Sequence, residues 1–191
     1  MIEEMKTLSP SEHSINIALT INIPLQLSTS RVAKLISEAT GLNPRIIRHD
    51  TVKVLITCSL DRVHEALDTY IKILNTLAEY ADKGLNACVE YWFIVKNHPC
   101  PCKTRGDRVQ CVVEYSGEYV KIYCNMSENY VSIRFLNYKP LVKPEASLIP
   151  ASAFIKCLDI NSLRSIVDEI NNRALIVWSM LNDERPIRLD H

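Results

Sequence analysis

A chain of 191 residues with 47% hydrophobic content is long enough for one large domain or two small ones, and too apolar to be disordered. Twenty-two basic residues balance twenty-two acidic ones, so no global field draws the chain to nucleic acid or an anionic membrane, and any such attraction must be local. The longest apolar run, Ala174 to Leu181, is too short to span a bilayer, and the start Met1-Ile2-Glu3-Glu4-Met5-Lys6 lacks the order of a signal peptide, so a cytoplasmic protein is expected.

Residues 1–13 read as a polar lead-in. From Ser14 to Ile23, isoleucine and leucine at odd positions alternate with Asn16, Ala18, Thr20 and Asn22, which predicts a half-buried strand ended by Pro24. Ser28 or Ser30 caps a helix carrying Val32, Leu35, Ile36 and Ala39 at helical spacing, and Gly41 stops it. A second strand is expected over Arg45–Arg48. His49-Asp50 then turns into a third strand, whose Val52, Val54, Ile56 and Cys58 share a face. A long helix follows, with Leu60, Val63, Leu67, Tyr70, Ile71, Leu74 and Leu77 as its apolar stripe and Lys83-Gly84 as its end.

The second half opens with a strand from Ala87 to Val95 that contains Tyr91-Trp92-Phe93. A cysteine-rich loop, Lys96 to Asp107, leads to strands Arg108–Tyr115, Tyr119–Cys124 and Tyr130–Leu136, joined by turns at Ser116-Gly117 and Asn125 to Asn129. A linker with Pro140, Pro144 and Pro150 precedes a last strand and helix. The fold class expected is α+β with two related halves, each an antiparallel sheet backed by a long helix. The division is β-α-β-β-α over 1–84 and a β-rich half ending in β-α over 85–191.

The two long helices carry a repeat. Val52 to Ile71 and Ala153 to Ile170 each read as an apolar strand ending in a cysteine, a polar turn and an amphipathic helix. An offset of one hundred pairs Leu60 with Ile160, Val63 with Leu163, Ala66 with Ile166, Leu67 with Val167 and Asp68 with Asp168. The order strand, short helix, hairpin, long helix over 14–84 resembles the small dimerisation subunit of the KEOPS complex. So do the polar turns Ser59-Leu60-Asp61-Arg62 and Leu158-Asp159-Ile160-Asn161-Ser162-Leu163-Arg164, the latter opening a helix with Asn171, Asn172 and Arg173. The resemblance implies a non-enzymatic subunit that pairs with itself, docks by its helices on a catalytic subunit, and serves threonylcarbamoyl-adenosine modification of tRNA. An interaction or scaffold subunit of an intracellular complex is therefore the first expectation.

Three clusters carry candidate chemistry. Ala174 to Leu181 is apolar around nearly its whole circumference, so Leu175, Trp178, Met180 and Leu181 are expected to face a protein partner or a second copy of the chain. Lys96, Lys103, Arg105 and Arg108 surround the cysteine loop beside Trp92, a set able to hold phosphates while a ring stacks on a base; RNA binding, with tRNA as a possible partner, is the alternative function. His98, Cys100, Cys102 and Cys111 have ligand chemistry suited to zinc, with Cys124 an equal rival for the fourth place, and a zinc-binding enzyme is the third reading. The bland alternative is a proline-stiffened hairpin tip with exposed thiols, or one disulfide. No cofactor other than zinc is expected. His13, His49, His64, His98 and His191 show no helical pairing, and four glycines leave no phosphate loop.

Overall fold

The computed structural model describes residues 13–23, 27–80, 86–103, 106–136, 156–157, 160–182 and 187–188. The elements in order are β1 (His13–Asn22), α1 (Thr29–Thr40), β2 (Arg45–Arg48), β3 (Thr51–Ser59), α2 (Val63–Ala78), β4 (Asn86–Lys96), β5 (Arg108–Tyr115), β6 (Glu118–Asn125), β7 (Tyr130–Leu136), β8 (Lys156–Cys157), α3 (Ile166–Asn182) and β9 (Ile187–Arg188). Short 3-10 turns, Leu60–Arg62 and Ile160–Ser165, precede α2 and α3. The chain is α+β. Lys83-Gly84, the proline linker, Ala153 to Ile155 and Asp159 lie outside the described residues.

Two compact units divide the chain. The first to be described takes residues 16–90 and 155–168. Its strands lie in the order β2-β3-β1-β4, with β8 also paired to β4. Alternation buries Ile17, Leu19 and Ile21 of β1 and Val52 and Val54 of β3, as period two requires. Helix α1 starts where the Ser28 hydroxyl accepts from the Arg31 amide and stops where Gly41 adopts φ 73°, a left-handed value that favours glycine. Helix α2 buries Val63, Ala66, Leu67, Tyr70, Ile73, Leu74 and Leu77, one continuous stripe.

Tyr70 ties this stripe to the sheet. Its hydroxyl is buried and reaches the carbonyls of Ile17 and Val54, the latter at 3.0 Å. A Tyr70→Phe chain should therefore lose about 1–3 kcal/mol of stability, because backbone carbonyls lose a buried donor, and urea titration of the two proteins measures it. Lys53 pairs with buried Glu90 at 2.9 Å, and Arg164 reaches Asp68 at 3.6 Å.

The second unit takes residues 1–15, 91–154 and 169–191, described only where the structure describes them. Its strands lie in the order β4-β7-β6-β5-β9, and the pairs of β4 with β7, β7 with β6, β6 with β5 and β5 with β9 are antiparallel. The β5–β6 hairpin turns at Ser116 and Gly117, with φ 52° and 78°, the pair of positive values a two-residue turn of this twist needs. Tyr91, Phe93 and Val95 of β4, Val131, Ile133 and Phe135 of β7, Val120, Ile122 and Cys124 of β6, and Val109, Cys111 and Val113 of β5 are all buried. They share the inner parity of the sheet.

Helix α3 corrects the expectation of an all-round apolar segment. Leu163 and Ile166, which belong to the first unit, are buried, as are Ile170, Ala174, Val177 and Met180 in the second; these positions follow helical spacing, whereas Asn171, Asn172, Leu175 and Ser179 are exposed. The long helices expected from 60 and 160 also begin later, after a 3-10 turn each. At the offset of one hundred, Val63 and Leu163, Ala66 and Ile166, Tyr70 and Ile170, Leu74 and Ala174, and Leu77 and Val177 are all buried, and Asp68 and Asp168 are both exposed.

Candidate nucleic-acid interface

The inner parity of the β4–β7–β6–β5 sheet is filled by core, so whatever chemistry this sheet offers lies on the other parity. Strand register arranges that face in rows. Lys121 stands opposite Arg134 across β6 and β7 and opposite Val112 across β6 and β5. Trp92 extends the row on β4, where the Arg134 guanidinium lies 4.4 Å from its ring centroid. The next row runs Ile94, Ser132, Tyr123, Gln110, and the next Lys96, Tyr130, Asn125, Arg108. Tyr123 and Tyr130 lie close, with ring centroids 6.3 Å apart.

Trp92, Lys121, Tyr123, Tyr130 and Arg134 are part-exposed, and Lys96, Arg108 and Gln110 are exposed. The face thus combines stacking rings with cations at its centre and at two of its corners. Burial, and then the neighbouring Arg134 charge, holds the Lys121 ammonium below the ordinary lysine range. Like charges directly opposed across a strand pair destabilise a sheet.

Beneath this face sits a part-buried polar knot. Tyr91 donates to the Glu169 carboxylate at 2.5 Å, and Arg173 donates to Glu169 at 2.8 Å and to the Tyr91 oxygen at 2.6 Å. The Arg173 guanidinium also stacks 4.8 Å from the Phe135 centroid and comes within 3.8 Å of Glu118. Burial pushes the Tyr91 phenol above its ordinary range, so it remains a neutral donor. The knot fixes the strand pair β4–β7 from below.

Of the residues expected to contact RNA, Trp92, Lys96 and Arg108 fall on the outer face, Lys103 is exposed on the β4–β5 loop, and Arg105 lies outside the described residues. The strongest members of the face, Lys121, Tyr123, Tyr130 and Arg134, were not among the expected residues. Their signal was parity: from Tyr119 to Asn125 and from Tyr130 to Arg134 every second side chain is polar or aromatic, on the same side as Trp92, whereas Val112 and Leu136 of that parity are buried and pack with Tyr119.

The expected metal set regroups. Cys100 pairs with Cys124 and Cys102 with Cys111 as disulfides, each with Cα atoms 5.8 Å apart. The sulfurs of Cys100, Cys102 and Cys124 lie within 4.8 Å of one another. His98 instead sets its Nδ1 2.8 Å from the Pro99 carbonyl, so Cys124 and not His98 joins the other cysteines. Cys88 is disulfide-bonded too, and its backbone register partner is Cys157. Cys58 is free, and burial raises its thiol above the ordinary range, which keeps it protonated and poorly nucleophilic.

The expected partner set also divides. Met180 is 2% exposed and belongs to the core, which corrects its assignment to an interface, whereas Leu175 is 56% exposed. Trp178 is half-buried with its ring 4.0 Å from that of His13, and Leu181 is half-buried. Among the described residues no helix is long and apolar enough to cross a membrane. No protein-family model matches the chain, and no curated protein is similar to it.

Proposed function

We propose that the chain binds single-stranded RNA across the outer face of the β4–β7–β6–β5 sheet. The observation that carries this reading is the row Trp92, Arg134, Lys121, where Arg134 stacks on the Trp92 ring and stands opposite a second cation, Lys121. Trp92 and Arg134 form a platform for a base, Tyr123 and Tyr130 offer a second, and Lys121, Lys96 and Arg108 take phosphates. Ser132 and Gln110, between the platforms, supply hydrogen bonds to base edges or to the ribose hydroxyl.

Titration of a fluorescent single-stranded RNA with the full chain, at several salt concentrations, tests this. Engaging Lys96, Arg108, Lys121 and Arg134 predicts a log–log salt slope of about −3. A flat salt response, or equal affinity for a neutral polymer, contradicts it. Lys121→Gln should act with opposite signs on two properties. Binding weakens, and stability at neutral pH rises by up to about 0.5 kcal/mol, because the opposed charge pair is gone. The sign follows from the depressed lysine: its charged form is disfavoured by folding at every pH below its folded value, and that penalty fades only as pH rises towards the ordinary lysine range. Equilibrium unfolding at neutral pH checks it.

A second reading is favoured by β2. All its residues are exposed, Ile46 at 49% and Ile47 at 43%, and Leu55 on the adjoining strand is 50% exposed. Arg45 and Arg48 bracket this apolar edge, as charges do where indiscriminate pairing must be avoided. A second copy of the chain, joined edge to edge, would make it the self-pairing, non-enzymatic subunit that the KEOPS resemblance implies, with tRNA modification as its setting. Sedimentation of Ile46→Lys separates the two: a monomeric variant that still binds RNA supports both surfaces, and a dimeric one removes the edge. The matched burial of Val63 to Leu77 and Leu163 to Val177 supports a divergent internal duplication.

A further inference from the structure

The β4–β5 loop carries Cys100-Pro101-Cys102 and reaches two neighbouring strands, at Cys111 on β5 and Cys124 on β6. Cys102, Cys111 and Cys124 are buried, and Cys100 is half-buried. Three of the sulfurs share a space less than 4.8 Å across, and the fourth, Cys111, is bonded to one of them. Independent disulfides have no need to share a site. A tetrahedral metal does: with zinc–sulfur bonds of about 2.3 Å, the four sulfurs stand about 3.8 Å apart, a modest opening from the disulfide arrangement. Register explains why the strand cysteines meet the loop. Cys111 pairs with Ile122 and Cys124 with Val109, so both lie on the inner parity at neighbouring rungs of the same hairpin.

We propose that Cys100, Cys102, Cys111 and Cys124, once reduced, bind one zinc ion as a tetrathiolate, so that the loop is fastened to the hairpin either by two disulfides or by metal. Reduction needs a dithiol. It delivers two electrons and two protons to each disulfide, becoming a disulfide itself, and leaves four thiols. Binding of zinc releases the four protons. In reverse, two molecules of hydrogen peroxide accept four electrons and four protons, yielding four waters, two disulfides and free zinc. Proline between the loop cysteines keeps Cys100 and Cys102 on a bent, pre-set segment in both states. Four thiolates close the coordination sphere and leave no open position for water, which makes the site structural and not hydrolytic.

The test uses the full chain, reduced anaerobically with dithiothreitol, freed of reductant and titrated with cobalt(II). The expected result is one equivalent bound, with the intense visible bands of tetrahedral cobalt and a sulfur-to-cobalt charge-transfer band, both abolished by zinc. Cys100→Ser, at the least buried ligand, should lose the four-sulfur spectrum while its far-ultraviolet circular dichroism stays that of the parent. His98→Ala should leave the spectrum unchanged. Addition of peroxide to the zinc form should release the metal and restore two disulfides. A reduced chain that takes up no cobalt, or takes it up without the charge-transfer band, overturns the proposal, as does a His98→Ala protein that loses the spectrum as Cys100→Ser does.

Discussion

Trp92→Ala is expected to weaken binding of single-stranded RNA by roughly ten- to a hundred-fold, the size of one lost base–aromatic stack. Trp92 lies on the outer parity of β4, while Tyr91 and Phe93 point into the core with ring centroids 6.0 Å apart, edge to face. The side chain removed is half-buried, so the inner core is untouched and cooperative unfolding should persist. Loss of the indole also removes the ring contact that the Arg134 guanidinium makes at 4.4 Å from its centroid. Trp92→Phe should recover much of the affinity, because a ring remains under the cation. Measured by anisotropy at one fixed salt concentration, an alanine variant that binds as the parent does would remove Trp92 from the interface.

The largest loss of stability is expected at Arg173. Its side chain is 13% exposed and serves Glu169, Tyr91, Glu118 and Phe135 at once. Truncation to alanine removes the Arg173 cation from the Glu169 carboxylate, itself 22% exposed, and removes a donor to Tyr91. Breaking a buried pair from one side costs about 3–5 kcal/mol, which for a chain of this length lowers the melting temperature by on the order of 10 °C. Combining Arg173→Met with Glu169→Gln should recover part of that loss, since no unpaired buried charge then remains. Calorimetry of the single and double variants checks both statements. If the single variant melts within a degree or two of the parent, the knot is not what holds β4 and β7.

Local pattern carried much of the fold into the sequence. Ser28 or Ser30 and Gly41 marked the ends of α1, Ser116-Gly117 marked a hairpin, alternation placed β1, and apolar runs between turns placed β4, β5 and β7 nearly to the residue. Each of these signals is settled by backbone sterics or by period, within a few residues of itself. What failed was where the answer depended on a distant neighbour. Ala174 to Leu181 reads as apolar all round, but only tertiary packing decides that Met180 is buried and Leu175 is not. The cysteine loop showed its residues but not its partners, because the approach of Cys124 depends on the β5–β6 register. The candidate face was half legible: Trp92, Lys96 and Arg108 stood near the loop in sequence, whereas Arg134 and Lys121 join them only through cross-strand pairing.

The most direct test of RNA binding by this face is ultraviolet cross-linking of the full chain to a single-stranded RNA, with the attachment sites mapped by mass spectrometry. Adducts are expected on Trp92, Tyr123 or Tyr130, in peptides from β4, β6 and β7, and they should diminish as salt is raised. Adducts confined to α1, α2 or β2, or a yield no greater than that of the Trp92→Ala chain, would contradict it.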